Sequence, residues 1–150
     1  MKFYQYFLVS FLFLNVGFAN VCKCQTAIIE LQKSHINANV ADKSNFDLFL
    51  KRDLEKYFNK LYGKTLVKWE LLREGPTQGG VSYPKYYLWT KVYQINSDKL
   101  LNEGAVRVEA IDKLVFRVTD YLNKKKLKSN SQDMYSVFPA LVCETIKTKL

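Results

Sequence analysis

The sequence contains a single histidine, His35, so any histidine-dependent triad would have to be built around it. It lies in a short N-terminal segment followed by small polar residues, where a structural histidine is the ordinary reading. No Gly-x-Ser-x-Gly elbow, Walker loop or dinucleotide fingerprint occurs. The glycines of Gly75-Pro76-Thr77-Gln78-Gly79-Gly80 lead neither to Lys-Ser/Thr nor to a helical pattern. There is no low-complexity tract, no internal repeat at a period of roughly 20–50 residues, and no second long hydrophobic run. These absences leave no motif that names a reaction or a cofactor, and no cofactor is expected. The solenoid and propeller classes are excluded as well.

The one long apolar run is at the start. Lys2 provides a positive n-region, residues 7–14 form an apolar core, and Gly17 and Ala19 occupy the −3 and −1 places of a peptidase site. This pattern reads as a cleavable secretory signal over residues 1–19. The uncharged stretch from Phe3 to Val21 approaches the roughly 20 residues of a membrane span, but Ser10, Asn15 and the small-residue site favour cleavage. A second alternative is a lipid anchor on Cys22, although Ala19-Asn20-Val21 matches a lipoprotein site poorly. The expected location is therefore secreted or periplasmic, with membrane contact only through the signal or such an anchor. Cleavage removes Lys2 and no acid, so the net charge falls from +9 to +8.

Cysteines are scarce and odd in number: Cys22, Cys24 and Cys143. Export permits a disulfide. Cys22 and Cys24 are too close in sequence to bond each other readily, so one of them could bridge to Cys143, with Cys24–Cys143 the pair if Cys22 carries a lipid; a free buried Cys143 is the alternative. A metal reading of Cys-Lys-Cys lacks companion ligands, and no metal site is expected.

Along the mature chain, residues 20–43 read as a short helix and linker, and residues 44–150 as one domain. The helix covers Gln25–His35, with Ala27, Ile28, Leu31 and His35 on one face. Ser44-Asn45-Phe46-Asp47 reads as a capping-box start. Phe46, Phe49, Leu50, Leu54, Tyr57, Phe58 and Leu61 then follow at helical spacing until Gly63, where a helix end favours positive φ.

The period next changes to two. Thr65–Arg73 alternates, with Thr65, Val67, Trp69 and Leu71 on one face. Lys85–Ile95 is rich in strand-forming aromatic and β-branched residues, and Asn96–Gly104 reads as a break. Ala105–Ile111 and Leu114–Leu122 form either two strands or, by their shared parity, one long kinked strand. A lysine-rich loop, Asn123–Gln132, leads to a final helix capped by Ser136, with Phe138, Leu141, Val142, Ile146 and Leu150 as its stripe.

The expected fold class is α+β: N-terminal helices, a curved antiparallel sheet of three to four strands packed on the main helix, and a C-terminal helix. Over roughly Ser44–Leu122 this order resembles the cystatin-like group of folds, which includes ketosteroid-isomerase-like cones. The resemblance is one of architecture only, and fold alone does not carry function.

Three surfaces could carry a function. Tyr83, Tyr86, Tyr87, Trp89 and Tyr93 cluster beside Lys85 and Lys91, with Trp69 on the neighbouring strand. Alternation places Tyr87, Trp89, Lys91 and Tyr93 on one face, and a single helix layer would leave one face uncovered for binding. A large aromatic core is the plain alternative. The run Lys124, Lys125, Lys126 and Lys128, with Lys147 and Lys149, could attract an anionic surface; solvated lysines are the plain alternative. Finally, Glu70, Glu109, Asp112 or Asp120 could turn inward in a cone as an acid–base group, against ordinary cross-strand pairing with Arg107 and Arg117.

The reading that follows is an exported, non-enzymatic binding or accessory domain for a protein or anionic envelope component. Nucleic acid is disfavoured by export and by the lack of any recognised motif. A small cone-fold enzyme using an inward carboxylate, and a structural subunit docking on an acidic partner through its lysines, are the alternatives.

Overall fold

The computed structural model describes residues 25–150, so the expected signal, Cys22 and Cys24 lie outside the described residues. Residues 35–150 form one compact unit, separate from the residues before them. Residues 25–39 are helical (α1), four residues beyond the expected end at His35. The Asn39 side chain closes this last turn by donating to the His35 carbonyl at 2.8 Å. The single histidine thus stands in a helix C-terminus.

The main helix, α2 (Lys43–Tyr62), begins one residue before the expected Ser44 cap. Asp42 is the N-cap instead, and its carbonyl accepts from Asn45 and Phe46 at 2.9 and 3.0 Å. The helical spacing of Leu50, Leu54 and Phe58 puts all three side chains out of solvent. Gly63 ends the helix at φ 80°, as its position predicted. Asn59 then ties the helix to the sheet: its Oδ1 accepts from both the amide and the hydroxyl of Thr65.

Four antiparallel strands follow in sheet order β1-β2-β3-β4: β1 (Thr65–Leu71), β2 (Lys85–Gln94), β3 (Leu100–Asp112) and β4 (Val115–Asn123). The fold is α+β, and its likeness to the cystatin-like group is one of architecture. Strand β3 starts within the stretch read as a break. Asn96 and Asp98 take positive φ and confine the turn to a few residues. Gly104 lies inside β3, because a Cβ there would meet the Leu122 carbonyl oxygen at 2.3 Å.

The parity that favoured one continuous strand has a different origin. β3 and β4 are a hairpin, with the Asp112 carboxylate accepting from Leu114 N at 2.7 Å to hold the turn. A two-residue turn alone would pair odd with even positions. A bulge between Ala110 and Asp112 restores even with even, so Val108 faces Val118 and Ala110 faces Phe116. A second shift after Arg107 reverses the parity again, pairing Val106 with Tyr121.

One face of the sheet packs on α2. Leu50, Leu54, Phe58, Val67, Leu88, Val92, Val106 and Val108 fill the interior where a cone fold would hold a pocket. Burial there pushes the Tyr86 phenol up to about 12, and the Tyr121 phenol well above its usual range. The other face is covered too, which corrects the single-layer expectation. The presumed lysine loop is helical: α3 (Lys124–Ser129) and α4 (Ser131–Val137) are capped by the side chains of Asn123 and Asn130. Pro139 precedes α5 (Ala140–Lys147), while Ser136 sits inside α4 and bonds back to Asp133 O rather than capping the last helix. The buried stripe of this layer is Leu127, Met134, Phe138, Val142, Cys143 and Ile146. Leu141, expected in the stripe, is exposed.

Cys143 is a free, fully buried thiol, donating to Phe138 O at 3.3 Å. The other half of the expected staple, Cys22 or Cys24, lies outside the described residues.

Candidate functional site

The C-terminal helices stop partway along the outer sheet face, and the candidate site lies where they stop. On β2 this face carries Tyr87, Trp89, Lys91 and Tyr93 in order, as alternation required. Tyr87 and Trp89, expected to be displayed, are each only 3 % exposed, because the second helical layer closes over them. Tyr87 packs edge-on against Phe138 and bonds Thr77 Oγ1 at 2.6 Å. Beyond the helices the strand emerges: Lys91 is exposed and Tyr93 half-buried. Tyr83 stands apart in the loop before β2. Trp69 belongs mainly to the opposite side of the sheet, edge-on to Phe46 of α2.

Between covered and uncovered parts is a recess of about 150 Å³ lined by Lys68, Trp69, Glu70, Trp89 and Lys91. Its charges follow from strand register. Lys68 of β1 stands directly opposite Lys91 of β2. On the other side of Lys91, directly opposite, is Glu103 of β3. Cross-strand pairing would ordinarily join Lys91 to Glu103. Instead Lys124, at the start of α3, reaches back and takes Glu103 at 2.6 Å, with its ammonium 6.0 Å from the Trp89 ring centre. The nearby Glu70 is taken by Lys149 at 2.8 Å.

Both acids around the recess are thus claimed by lysines of the C-terminal segment. The Lys68 ammonium lies over the Tyr93 ring at 5.2 Å, and the Lys91 ammonium has no ion-pair or hydrogen-bond partner among the described residues. Such a surface attracts anions and repels cations.

The lysine run is divided by the helix that carries it. Lys124 pairs with Glu103 beside Trp89, Lys126 pairs with Asp133 at 2.9 Å, and Lys125 and Lys128 face solvent. The structure therefore brings Trp69, Trp89 and Lys91 together around the recess, sets Lys124 over the Trp89 ring, and leaves Tyr83, Tyr87, Lys125 and Lys126 outside the recess. Lys68 and Glu103 went unnoticed in the sequence. Only the strand register, which sets Lys68 opposite Lys91 and Lys91 opposite Glu103, brings them to this site.

The carboxylates considered for acid–base work have other engagements. Glu109 holds Arg117 at 2.7 Å, Asp120 holds Arg107 at 2.5 Å, and Asp112 closes the hairpin turn. Arg107 also donates to Val137 O at 2.9 Å, tying β3 to the helical layer. Among the described residues no group of three or more His, Cys, Asp or Glu could hold a metal ion, and no helix is long and apolar enough to cross a membrane.

Compared with known proteins, the chain matches no family model, no curated protein and no solved structure.

Proposed function

We propose that the protein is an exported, non-enzymatic binding or accessory domain that holds a negatively charged protein or envelope component at the basic end of its outer sheet face. The observation that carries this reading is the Lys68–Lys91 pair, two cations directly opposite one another beside a recess. Like charges in that position cost stability. The acids that could relieve them, Glu70 and Glu103, are bound by Lys149 and Lys124. An anionic partner would supply the missing counter-charge. Lys125 and Lys128, exposed on the helix that carries Lys124, extend the attraction over a wider surface.

Export rests on the N-terminal pattern of Lys2, the apolar core and Gly17-Phe18-Ala19. A non-enzymatic role is favoured by the apolar packing between α2 and the sheet and by the structural engagement of Glu109, Asp112 and Asp120.

Retention on immobilised dextran sulfate, with neutral dextran as reference, tests the reading. The protein is expected to bind the former, to elute with salt, and to lose most retention in the Lys68→Gln/Lys91→Gln double variant. Lys51→Gln/Lys56→Gln, two exposed changes on α2, should leave retention nearly intact. Equal losses in both pairs would mean that net charge alone, and not this surface, binds the polymer.

A further inference from the structure

Resting on that reading, we infer that the recess itself is a subsite for a phosphate-monoester group, the terminal dianion of a larger ligand or of inorganic phosphate. The argument is one of charge, donors and size. The charged residues lining the recess are Lys68, Lys91 and Glu70; Glu70 is cancelled by Lys149, and Glu103, opposite Lys91 on β3, is cancelled by Lys124. The local surplus is two positive charges. A phosphate monoester carries about −1.5 to −2 near pH 7 and offers three acceptor oxygens. A single carboxylate would leave half the surplus unmatched.

The donors agree in number with those oxygens. Lys91 has no polar partner, Lys68 has only the Tyr93 ring, and the Trp89 indole N–H has no hydrogen-bond partner among the described residues. At about 150 Å³ the recess holds roughly ten times the space one water needs (about 10–15 Å³), enough for a tetrahedral oxyanion, and is smaller than the roughly 300–1,000 Å³ of pockets that enclose a whole small-molecule ligand. The body of a larger ligand would therefore lie over the uncovered strand ends, across Tyr93.

The ion pairs at the rim set the occupancy. Lys149–Glu70 and Lys124–Glu103 keep both carboxylates from folding across onto Lys68 and Lys91. Lys124 and Lys149 are thus positioning residues, and removing either would let its acid neutralise the subsite.

Isothermal titration of the full chain with inorganic phosphate, sulfate and acetate tests the inference. Phosphate at pH 7.5 is expected to bind one to one, with acetate at least tenfold weaker. Lys91→Gln should weaken phosphate by about tenfold or more, the usual scale for a lost charged hydrogen bond. Lys149→Gln should weaken it less, and the loss should be recovered in Lys149→Gln/Glu70→Gln, a rescue that a merely structural role for Lys149 would not give. Lowering the pH to 5.5 should weaken phosphate, whose second ionisation lies near 6, but not sulfate. Acetate binding as well as phosphate, an unchanged affinity in Lys91→Gln, or no phosphate binding at all would each overturn the inference. In the last case, intact retention on dextran sulfate would leave the broader reading standing, and loss of both would remove it too.

Discussion

Replacing Gly104 by alanine should be among the most damaging single-methyl changes in this protein. Gly104 lies in β3 with β2 on one side and β4 on the other, and its carbonyl accepts the hydroxyl of buried Thr90 at 3.1 Å. An added Cβ would meet Leu122 O at 2.3 Å and Asn123 Cα at 2.6 Å. These are backbone atoms, so no rotamer change relieves the contact. Restoring an ordinary separation requires β3 and β4 to part locally by about 1 Å, which stretches a ladder bond of ~2.9 Å beyond useful length. Two such bonds at about 1 kcal/mol each, with about 1 kcal/mol of packing strain, give a loss of roughly 3 kcal/mol. For a domain of this size the melting temperature should fall by about 10 °C or more. Thermal and urea unfolding followed by circular dichroism would measure it. A Gly104→Ala protein melting within about 2–3 °C of wild type would show that the strands do not approach as described.

Further outcomes follow from the core and its titratable groups. Leu54→Ala, emptying a fully buried position between α2 and the sheet, should cost about 2–5 kcal/mol in urea unfolding. Burial holds Tyr86 protonated up to about 12, whereas its unfolded form ionises near 10. Its contribution is fully present below pH 10 and is lost as pH rises from 10 to 12, at most ~2–3 kcal/mol at 1.36 kcal/mol per unit. Unfolding midpoints measured across that range should fall, and Tyr86→Phe should flatten the decline. Burial also raises the Cys143 thiol, so a thiol reagent at pH 8 should label it only after denaturation. Rapid labelling in the folded protein would contradict the packing of α5. Arg107→Ala should loosen the C-terminal helices, seen as faster amide exchange in α4 and α5, since it removes the hydrogen bond to Val137 O that ties β3 to them.

Much of the α2–sheet layer was legible because burial there writes a simple period: Leu50, Leu54 and Phe58 at helical spacing, Thr65 and Val67 at strand spacing. The β3–β4 hairpin was harder, because its bulges imitate the parity of a continuous strand. The second helical layer was missed for a compositional reason. Lys124-Lys125-Lys126 reads as a solvated loop, and only Asn123 and Asn130, as caps, betray two short helices. That omission concealed the burial of Tyr87 and Trp89. The chemistry of the recess depends on register, which no local pattern reveals. Nothing in the sequence indicates that Lys68 faces Lys91, or that Glu103 answers to Lys124.

The account stands most directly on where an anion touches the molecule. Amide and indole resonances of an isotopically labelled sample, titrated with a short sulfated oligosaccharide, would map the contact residue by residue. The account predicts the largest shifts at Lys68, Glu70, Lys91, Glu103 and the Trp89 indole. Shifts confined to the lysines of α2, Lys51, Lys56 and Lys60, with the Trp89 indole unmoved, would contradict it.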